Sequence, residues 1–484
     1  MRQVGDVLIK DKTVNVLDAD AVSIKQLIEQ KQMTVTEITE TYIQRIKDTN
    51  PAVNFLTEDR FSVALQEAEE ADRLLATGEA KGALFGVPIS MKESFDVMGM
   101  QTTGGLQRLK GFVPDEDAEV VDRLKAEGAI ILGKTNTPEL CFCQETDNKL
   151  YGRTNNPWNL DRTAGGSSGG EGAAIALGCA AVGLGSDIGG SIRFPSHFNG
   201  VIGFKSGNGS VSQDGSFPYV DNDLQQRMLG IGPIAKSVRD AKLLYSIISD
   251  KSIVEQSLDS FTLNVFRTTN YPLSARTSKL LNDVYVFLED KFSTEREPVP
   301  LLDQSALLWQ EIMSIDGGKA TSSHAFGSRS RSPHIAFVKE LWKGNADIHR
   351  YLSWALIGAA LFKPSHRRMS EMRNELAEGD KLLEAYLEHR LLIMPVYHTA
   401  APRHNVVYKE IFSIQKTFLQ YMPFTAYANT WGLPALTIPI GTDEDGMPIG
   451  LQIIGKNGNE DAIFSLGALL EKQFLGYKRA ELTS

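Results

Sequence analysis

The chain has 484 residues, of which 42% are hydrophobic and 23% charged, a composition that is ordinary for a globular protein. Its formal net charge is −10, which argues against nucleic acid as a partner, because phosphate binding requires a basic face. The three cysteines, Cys141, Cys143 and Cys179, form no even-numbered framework and favour a reducing compartment. Two of them are too close together, and too isolated, to predict a zinc site.

No targeting segment is predicted. The first residues, MRQVGDVLIKDKT, lack the apolar stretch of a signal peptide, and no run reaches the roughly 18 apolar residues of a spanning helix. We therefore predict a cytoplasmic or peripheral membrane protein. The sequence leaves open whether a native N-terminal membrane anchor was removed.

Helices are predicted first along the chain. Apolar residues recur at helical spacing across 20–48, with Asn50-Pro51 as the predicted end, and a third helix covers about 59–77. Strands and helices then alternate. The predicted elements are strands at 85–92 and 129–134, helices at 118–128 and 169–180, and a small-residue run at 180–186. This alternation predicts an α/β protein with a mostly parallel or mixed sheet.

The later part of the chain completes that sheet. Residues from about 270 to 385 are charged and largely helical in pattern, so we predict a cap-like insertion. Strand signals return at 391–396, 434–440 and 449–455, before a closing helix at 460–474. We predict one domain, 1–484, with N-terminal helices about 20–80, a core about 85–215, the insertion, and C-terminal elements about 390–475.

One apolar run, YLSWALIGAALF (351–362), has three interpretations. Its length falls short of a membrane span, and nearly all-round apolarity favours a buried core helix. A membrane-touching cap and the wall of an apolar substrate site are the alternatives.

Two motif matches are interpreted as false. GAIILGKT (128–135) fits the phosphate-binding G-x-x-x-x-G-K-[ST], but its middle residues predict a strand that ends near Lys134. GGSSG (165–169) fits the nucleophile elbow G-x-S-x-G around Ser167, with His398 or His404 as its base. An elbow requires a strand directly before it, and the approach NNPWNLDRTA has the pattern of a loop.

A third arrangement joins Ser191, Ser167 and Lys92. In SDIGGSIRFPS (186–196), two glycines leave backbone N–H groups uncovered beside Ser191, and such donors can stabilise an oxyanion. Lys92 closes the apolar strand GVPISMK, and burial there would favour its neutral form. A neutral lysine can take a proton from a nucleophilic serine through a bridging serine, without any histidine. The one histidine near this stretch, His197, is interpreted as structural.

These elements resemble the amidase signature family of serine hydrolases. The resemblance is carried by GVPISMKE, LGKTNTPEL, the block from 165 to 196, and the late GLPALTIPIG and GMPIGLQIIG. Within the family, GGSSGGEGA and SDIGGSIRFP look most like the fatty-acid amide hydrolase branch. Residues 139–159 and 340–356 look most like its second type. The resemblance implies the family's fold, a central mixed twisted sheet covered by helices on both faces.

The resemblance also implies catalytic roles by position. Ser191 matches the acylated nucleophile, and Ser167 matches a bridging serine that follows a cis peptide bond at Gly166–Ser167. Lys92 matches the base, which later protonates the leaving amine.

Further positions match the oxyanion hole and its support. The N–H groups of Ile188, Gly189, Gly190 and Ser191 match the oxyanion hole. Cys141 matches a residue near the bound acyl carbonyl. Asp187 and Arg193 flank the nucleophile, and we expect them to brace its loop as an ion pair.

We predict the hydrolysis of carboxylic amides, with esters left open, that have an apolar or fatty acyl group. The mechanism needs no metal and no cofactor. The expected partner is a small amide substrate, while peripheral membrane contact and a homodimer stay open. The alternatives are the glutamine-hydrolysing A subunit of a tRNA-dependent amidotransferase, a Ser-His-Asp α/β-hydrolase, and a scaffold with a relic site.

Overall fold

The computed structural model describes residues 6–9, 12–267, 271–327, 331–411 and 416–482. Its strands are β1 (Asp6–Ile9), β2 (Lys12–Asn15), β3 (Leu56–Asp59), β4 (Pro88–Lys92), β5 (Ile130–Thr135), β6 (Asn155–Asn156), β7 (Asn159–Thr163), β8 (Val182–Asp187), β9 (Ile202–Lys205), β10 (Gly230–Ala235), β11 (Thr262–Val265), β12 (Thr294–Glu295), β13 (Arg390–Pro395), β14 (Ala435–Thr442) and β15 (Pro448–Ile454).

The α-helices are α1 (Ala21–Glu29), α2 (Val35–Val53), α3 (Phe61–Thr77), α4 (Glu119–Ala126), α5 (Gly169–Ala176), α6 (Arg193–Asn199), α7 (Asp223–Gln226), α8 (Val238–Ile248), α9 (Ala275–Glu289), α10 (Leu302–Met313), α11 (Lys319–Phe326), α12 (Pro333–Lys343), α13 (Arg350–Leu361), α14 (His366–Tyr386), α15 (Val407–Ile411), α16 (Lys416–Thr430) and α17 (Glu460–Gln473). None of the helices among the described residues combines the length and apolarity needed to cross a membrane.

A mixed sheet of eleven strands forms the centre of the molecule, in the order β12-β11-β13-β15-β14-β9-β10-β8-β4-β5-β3. Strand β4 runs parallel to both β5 and β8, while β10 is antiparallel to β8 and β9. Every residue of β4, β5 and β8 is buried, as expected for central strands covered by helices on both faces. The predicted α/β fold with a mixed sheet is confirmed.

Two local predictions are wrong, one for the end of a helix and one for a segment predicted as a loop. Helix α2 continues past Pro51 to Val53, because a proline in the last turn removes only one hydrogen bond while keeping a helical φ. The Asn50 side chain then accepts the N–H groups of Phe55 and Leu56 and fixes the exit of the chain. The approach to Ser167 is also not a plain loop, since β6 and β7 pair there as a short antiparallel hairpin.

The region predicted as an insertion is helical, but its helices divide between two cores. Helices α9, α10 and α14 contribute to the main apolar core. Helices α11–α13 bury apolar side chains in a second, smaller cluster together with Leu106 and Leu140, and we call residues 319–327 and 331–361 the roof. The buried members of the cluster are Leu106, Leu140, Ala325, Phe326, Ala336, Ala346, Ile348, Leu352 and Leu356. The division of the chain into four parts stays a prediction.

The apolar run 351–362 is helix α13 with two different sides. Leu352 and Leu356 are buried in the roof cluster, which fits the core interpretation. Trp354, Ile357 and Leu361 line a cavity of about 490 Å³, which fits the substrate-wall interpretation. Helix α13 therefore contributes side chains both to a buried apolar cluster and to the wall of the cavity.

Candidate active site

The lysine at the end of β4 is buried in the centre of the sheet. Lys92 is fully buried, and its Nζ donates to Ser167 Oγ at 2.7 Å and to Ser186 Oγ at 2.9 Å. Burial lowers the pKa of Lys92, although nearby Cys141 and Asp187 oppose that shift. The shift is in the direction of the neutral amine, which is the form able to accept a proton.

Ser167 stands between the hairpin and helix α5. The peptide bond before it, Gly166–Ser167, is cis, as the family resemblance implied. Gly166 has no room for a side chain, because an added Cβ would lie 2.6 Å from the Cys143 carbonyl oxygen. Next to Ser167, the N–H of Ser168 donates to the Ser191 carbonyl at 3.1 Å and so ties the two serine segments together. Ser167 and Ser191 both line the same cavity.

The loop that contains Ser191 is supported by a buried ion pair. Asp187 and Arg193 are both fully buried, and their Oδ2 and Nε atoms lie 3.0 Å apart. Arg193 also donates to Gln452 and Asn429 on the C-terminal part of the chain. The Arg193 charge holds the pKa of Asp187 well below its usual range despite burial. The bracing that the resemblance implied for this pair is what these contacts provide.

One predicted oxyanion donor is already occupied. The Gly190 N–H donates to Asp187 Oδ1 at 2.7 Å, so it supports the loop and is not free to bind a substrate oxygen. For Ile188, Gly189 and Ser191, the described residues supply no acceptor to the backbone N–H. The predicted set of four donors is therefore reduced to these three.

Packing also requires glycine at positions 189 and 190, which the motif did not reveal. Gly190 has φ +100, where a side chain is strained, and an added Cβ would lie 2.5 Å from Phe194. An added Cβ on Gly189 would lie 2.7 Å from the Trp309 ring. Glycine is required here by the ring contacts as well as by the access of backbone donors.

A cavity of about 490 Å³ opens above these residues. Of the predicted site residues, it is lined by Cys141, Ser167, Ile188, Gly189 and Ser191. The apolar side chains of its wall include Phe142, Leu229, Trp309, Met313, Trp354, Ala355, Ile357, Leu361, Phe362, Ile411 and Phe418. Ser191 is 5% exposed and Lys92 lies behind Ser167, so a small molecule in the cavity meets the serines before the lysine.

Cys141 lies on the same side of the cavity as the lysine. Its Sγ is 3.4 Å from Thr137 Oγ1, and it also interacts with the Lys92 amine. The residue has φ +59, a conformation that non-glycine residues adopt infrequently. These contacts agree with a place near the reacting groups, and its suggested contact with an acyl carbonyl stays a prediction.

The sequence analysis missed four residues at the site. Ser186 shares the lysine with Ser167, and a polar residue closing the small-residue run 180–186 was the available signal. Glu171 is fully buried beside Lys92 and accepts from Ser90 and Thr135, and burial raises its pKa to about 7. Gln144 and Trp309 bond to carbonyls of the nucleophile loop from distant segments, for which the sequence gives no signal.

The alternative motifs do not reach this site. Lys134 lies within strand β5, where its Nζ donates to the Gln101 carbonyl at 2.6 Å and to Thr102. The strand interpretation of 128–135 is thus confirmed, and the phosphate-loop alternative is wrong. His398 contacts Glu410 and His404 contacts the Leu160 carbonyl, while the group that contacts Ser167 is Lys92. The histidine-based elbow is therefore wrong.

His197 is fully buried, and its ring nitrogens contact the backbone of Thr399 and Gly450, as a structural role requires. Among the residues that the structure describes, no group of three or more histidine, cysteine or acidic side chains is arranged to hold a metal ion.

Comparison with known proteins places this geometry in a family. The family model described as Amidase matches residues 37–286 and 331–464. Fatty-acid amide hydrolase 2 of Homo sapiens is 32% identical over 94% of this chain and 88% of its own length. The A subunit of glutamyl-tRNA(Gln) amidotransferase from Cyanothece sp. is 30% identical over 93% of this chain and 97% of its own length.

A solved structure agrees with the same assignment. The structure of 6-aminohexanoate cyclic dimer hydrolase complexed with substrate superposes with a TM-score of 0.81. It is 26% identical in sequence, and the match covers 97% of this chain and all of that one. The chain therefore belongs to the amidase signature family and is a hydrolase that acts on carbon–nitrogen amide bonds.

Proposed function

We propose that the protein hydrolyses linear amides with an apolar acyl group through an acyl-enzyme on Ser191. The observation that carries the proposal is the fully buried Lys92 amine, 2.7 Å from Ser167 Oγ, behind the cavity that Ser191 lines. As the Ser191 oxygen attacks the substrate carbonyl carbon, its proton passes to the Ser167 oxygen, and the Ser167 proton passes to Lys92 Nζ. Among the described residues, the Ser167 and Ser191 hydroxyl groups do not form a hydrogen bond with each other. Catalytic hydrogen bonds often tighten only when substrate is bound, so this arrangement is compatible with the proposed proton route.

The tetrahedral intermediate places a negative charge on the former carbonyl oxygen. The N–H groups of Ile188, Gly189 and Ser191 are the candidates to stabilise it, and losing one such donor typically costs on the order of 100-fold in rate. The carbon–nitrogen bond then breaks, and Lys92 returns its proton through Ser167 to the leaving nitrogen. Water attacks the resulting ester by the same proton route, releasing the acid and restoring Ser191.

The cavity wall supports an apolar acyl group. Aromatic and aliphatic side chains from α10, α13 and α16 face the space next to Ser191. Burial of each methylene contributes roughly 0.8 kcal/mol, so longer acyl chains should bind more tightly until the cavity is filled. We expect kcat/KM for N-acyl amides to rise with chain length from acetyl toward dodecanoyl. A rate that is independent of chain length would refute this preference.

Covalent labelling tests the catalytic proposal. A fluorophosphonate should modify Ser191, as mapped by peptide mass spectrometry, and Lys92→Ala should abolish labelling. Ser168→Ala is the matched control, because this neighbouring hydroxyl donates to the Ser186 carbonyl at 3.5 Å and not to the lysine. Labelling of Ser167 or Ser168, or unchanged labelling of Lys92→Ala, would overturn the proposal. Folded protein that takes no label and hydrolyses no amide would revive the relic-site alternative.

Glutamine hydrolysis is the alternative that the same family contains. Recognition of free glutamine requires charged or polar partners for its ammonium and carboxylate groups, whereas the lining of the cavity as a whole is largely apolar. Release of ammonia from glutamine at a rate above that for a long-chain amide would favour the amidotransferase function.

We also propose peripheral contact with an anionic lipid surface. Helix α12 exposes four apolar side chains on one side, Ile335, Val338, Leu341 and Trp342, and the last is 86% exposed. Lys339 and Lys343 are exposed on the same helix and would attract acidic headgroups. Co-sedimentation with phosphatidylserine-containing vesicles should fall in the double variant Leu341→Ser, Trp342→Ser. Equal sedimentation of both proteins would refute lipid contact, and a change in oligomeric state would indicate a second copy as the occupant.

A further inference from the structure

An indole from α10 bonds to the backbone of the nucleophile loop. Trp309 is 8% exposed, and its Nε1 donates to the Ile188 carbonyl at 2.7 Å across 121 positions of sequence. Because the C=O and N–H of a trans peptide point in opposite directions, this bond fixes the direction of the Gly189 N–H.

The next peptide unit is held differently. Gln144 donates to the Gly189 carbonyl at 3.0 Å, while the N–H at the other end of that peptide, from Gly190, donates to Asp187. Both of its ends are therefore used inside the protein. The unit that Trp309 holds has a bonded carbonyl, but its N–H has no acceptor among the described residues. The loop thus leaves the Gly189 N–H available for a ligand.

The same ring lies against the loop and the cavity together. Its Cζ2 atom would be 2.7 Å from a Cβ on Gly189, so the ring packs directly on that residue. Trp309 also lines the cavity beside Ile188 and Ser191. A substrate in the cavity contacts the side chain that orients the adjacent peptide.

We propose that Trp309 is a positioning residue that holds the Gly189 N–H toward the oxyanion formed during hydrolysis. The inference rests on the proposed acylation of Ser191 and adds a means by which the cavity wall acts on the rate of the chemical step. The hydrogen bond fixes the donor, and the ring face contacts the acyl group. Loss of the indole N–H should therefore reduce transition-state stabilisation more than substrate binding.

The test is Trp309→Phe, which keeps an aromatic wall and removes the N–H. We expect kcat to fall about tenfold with KM within about twofold, since the donor becomes less well oriented but is not removed. The affinity for an alkyl boronic acid, which mimics the tetrahedral intermediate, should fall by the same factor. The matched control is Trp354→Phe, a second tryptophan of the cavity wall, which should change KM more than kcat.

Two outcomes overturn the inference. One is a kcat and a boronic acid affinity both within twofold of the wild type, and the other is a rise in KM alone. If Trp309→Phe unfolds at a lower temperature, benzothienylalanine at position 309 keeps the ring shape without the N–H, and the same two outcomes apply. Fluorophosphonate labelling of Ser191 in the wild type tests the proposed function separately, because it does not depend on Trp309.

Discussion

Two regions enclose the cavity, and they differ in how they are held. The floor, which we define as the end of β4, residues 165–171 and residues 186–193, is almost wholly buried, and its ionisable side chains, Lys92, Glu171, Asp187 and Arg193, all have hydrogen-bond partners. The roof, residues 319–327 and 331–361, packs on a small apolar cluster that it shares with Leu106 and Leu140, and it has several exposed apolar side chains. From this difference we expect the roof to be the less stable of the two parts, and the proposed function assigns the reacting groups to the floor.

The link between the two regions is a set of polar contacts from residues 139–149. Lys149 bonds to Glu340 at 2.8 Å and to the Gly344 carbonyl, and Glu139 accepts the His349 N–H. Burial raises the pKa of Glu139 to about 8, which favours its neutral form where the roof packs on this segment. The following variants separate the floor from the roof, starting with the largest expected effect.

Removing the base should have the largest effect on activity. We expect Lys92→Ala to lower kcat/KM for an amide by about 1000-fold or more, as general-base loss at a nucleophilic site does. In the wild type, activity should rise with pH as the buried amine loses its proton, with a midpoint below the range of an ordinary lysine.

The control for that variant is Lys236→Met. Lys236 is another buried lysine, and it donates to the Leu17 and Ala19 carbonyls far along the chain from the site residues. Activity per folded molecule should stay within a few-fold of the wild type. Equal losses in both variants would mean that buried lysines matter here for folding and not for chemistry.

Breaking the ion pair of the floor should have the largest effect on stability. Asp187→Asn leaves the Arg193 charge buried without its partner, and we expect the free energy of unfolding to fall by about 3–5 kcal/mol. Denaturant unfolding measures this loss. Asp223→Asn removes an exposed ion pair with Arg373, and it should cost less than about 1 kcal/mol. A similar, small loss of stability in both variants would contradict the prediction that the buried ion pair of the floor contributes more than an exposed one.

A cavity made in the roof should act locally. Leu356→Ala truncates a side chain of the roof cluster, and we expect a cost of about 2 kcal/mol, at the low end for such sites because the cluster is small. Hydrogen exchange should become faster in α12 and α13, while the rate of labelling at Ser191 by a small fluorophosphonate stays unchanged. Leu382→Ala, at a partly exposed position of α14, is the control. Equal acceleration of exchange in the floor would contradict separate stabilities.

A change of pH should have the smallest effect on the stability of the roof. A carboxyl group whose pKa is raised in the folded state stabilises the folded roof at pH values below its unfolded pKa. This contribution is lost as the pH rises toward the folded pKa of about 8. We therefore expect the roof to become progressively less protected from hydrogen exchange between pH 6 and pH 8, after correction for intrinsic exchange rates.

Glu139→Gln should remove this pH dependence, because glutamine cannot ionise. Glu37→Gln, in the exposed capping box of α2, is a control that should leave the roof unchanged. If the pH dependence persists in Glu139→Gln, another group is responsible.

How much of this could be predicted depends on the range of each interaction. Several strands and helices followed from apolar spacing, and one error occurred where α2 continued through Pro51 to Val53. The family motifs predicted Lys92, Ser167 and Ser191. The Gly190 error arose because the motif shows a backbone N–H without showing that Asp187 accepts it.

The sequence by itself therefore determined the mixed α/β fold, the approximate positions of several helices and strands, and the three candidate catalytic residues, because hydrophobic periodicity and short motifs are local properties. Only the tertiary structure decided which N–H groups stay available, that Ser186 and Glu171 surround the lysine, and that Trp309 holds the loop. It also decided that the roof forms a separate cluster. Those features join segments tens to hundreds of residues apart, and such contacts depend on packing that no local pattern encodes.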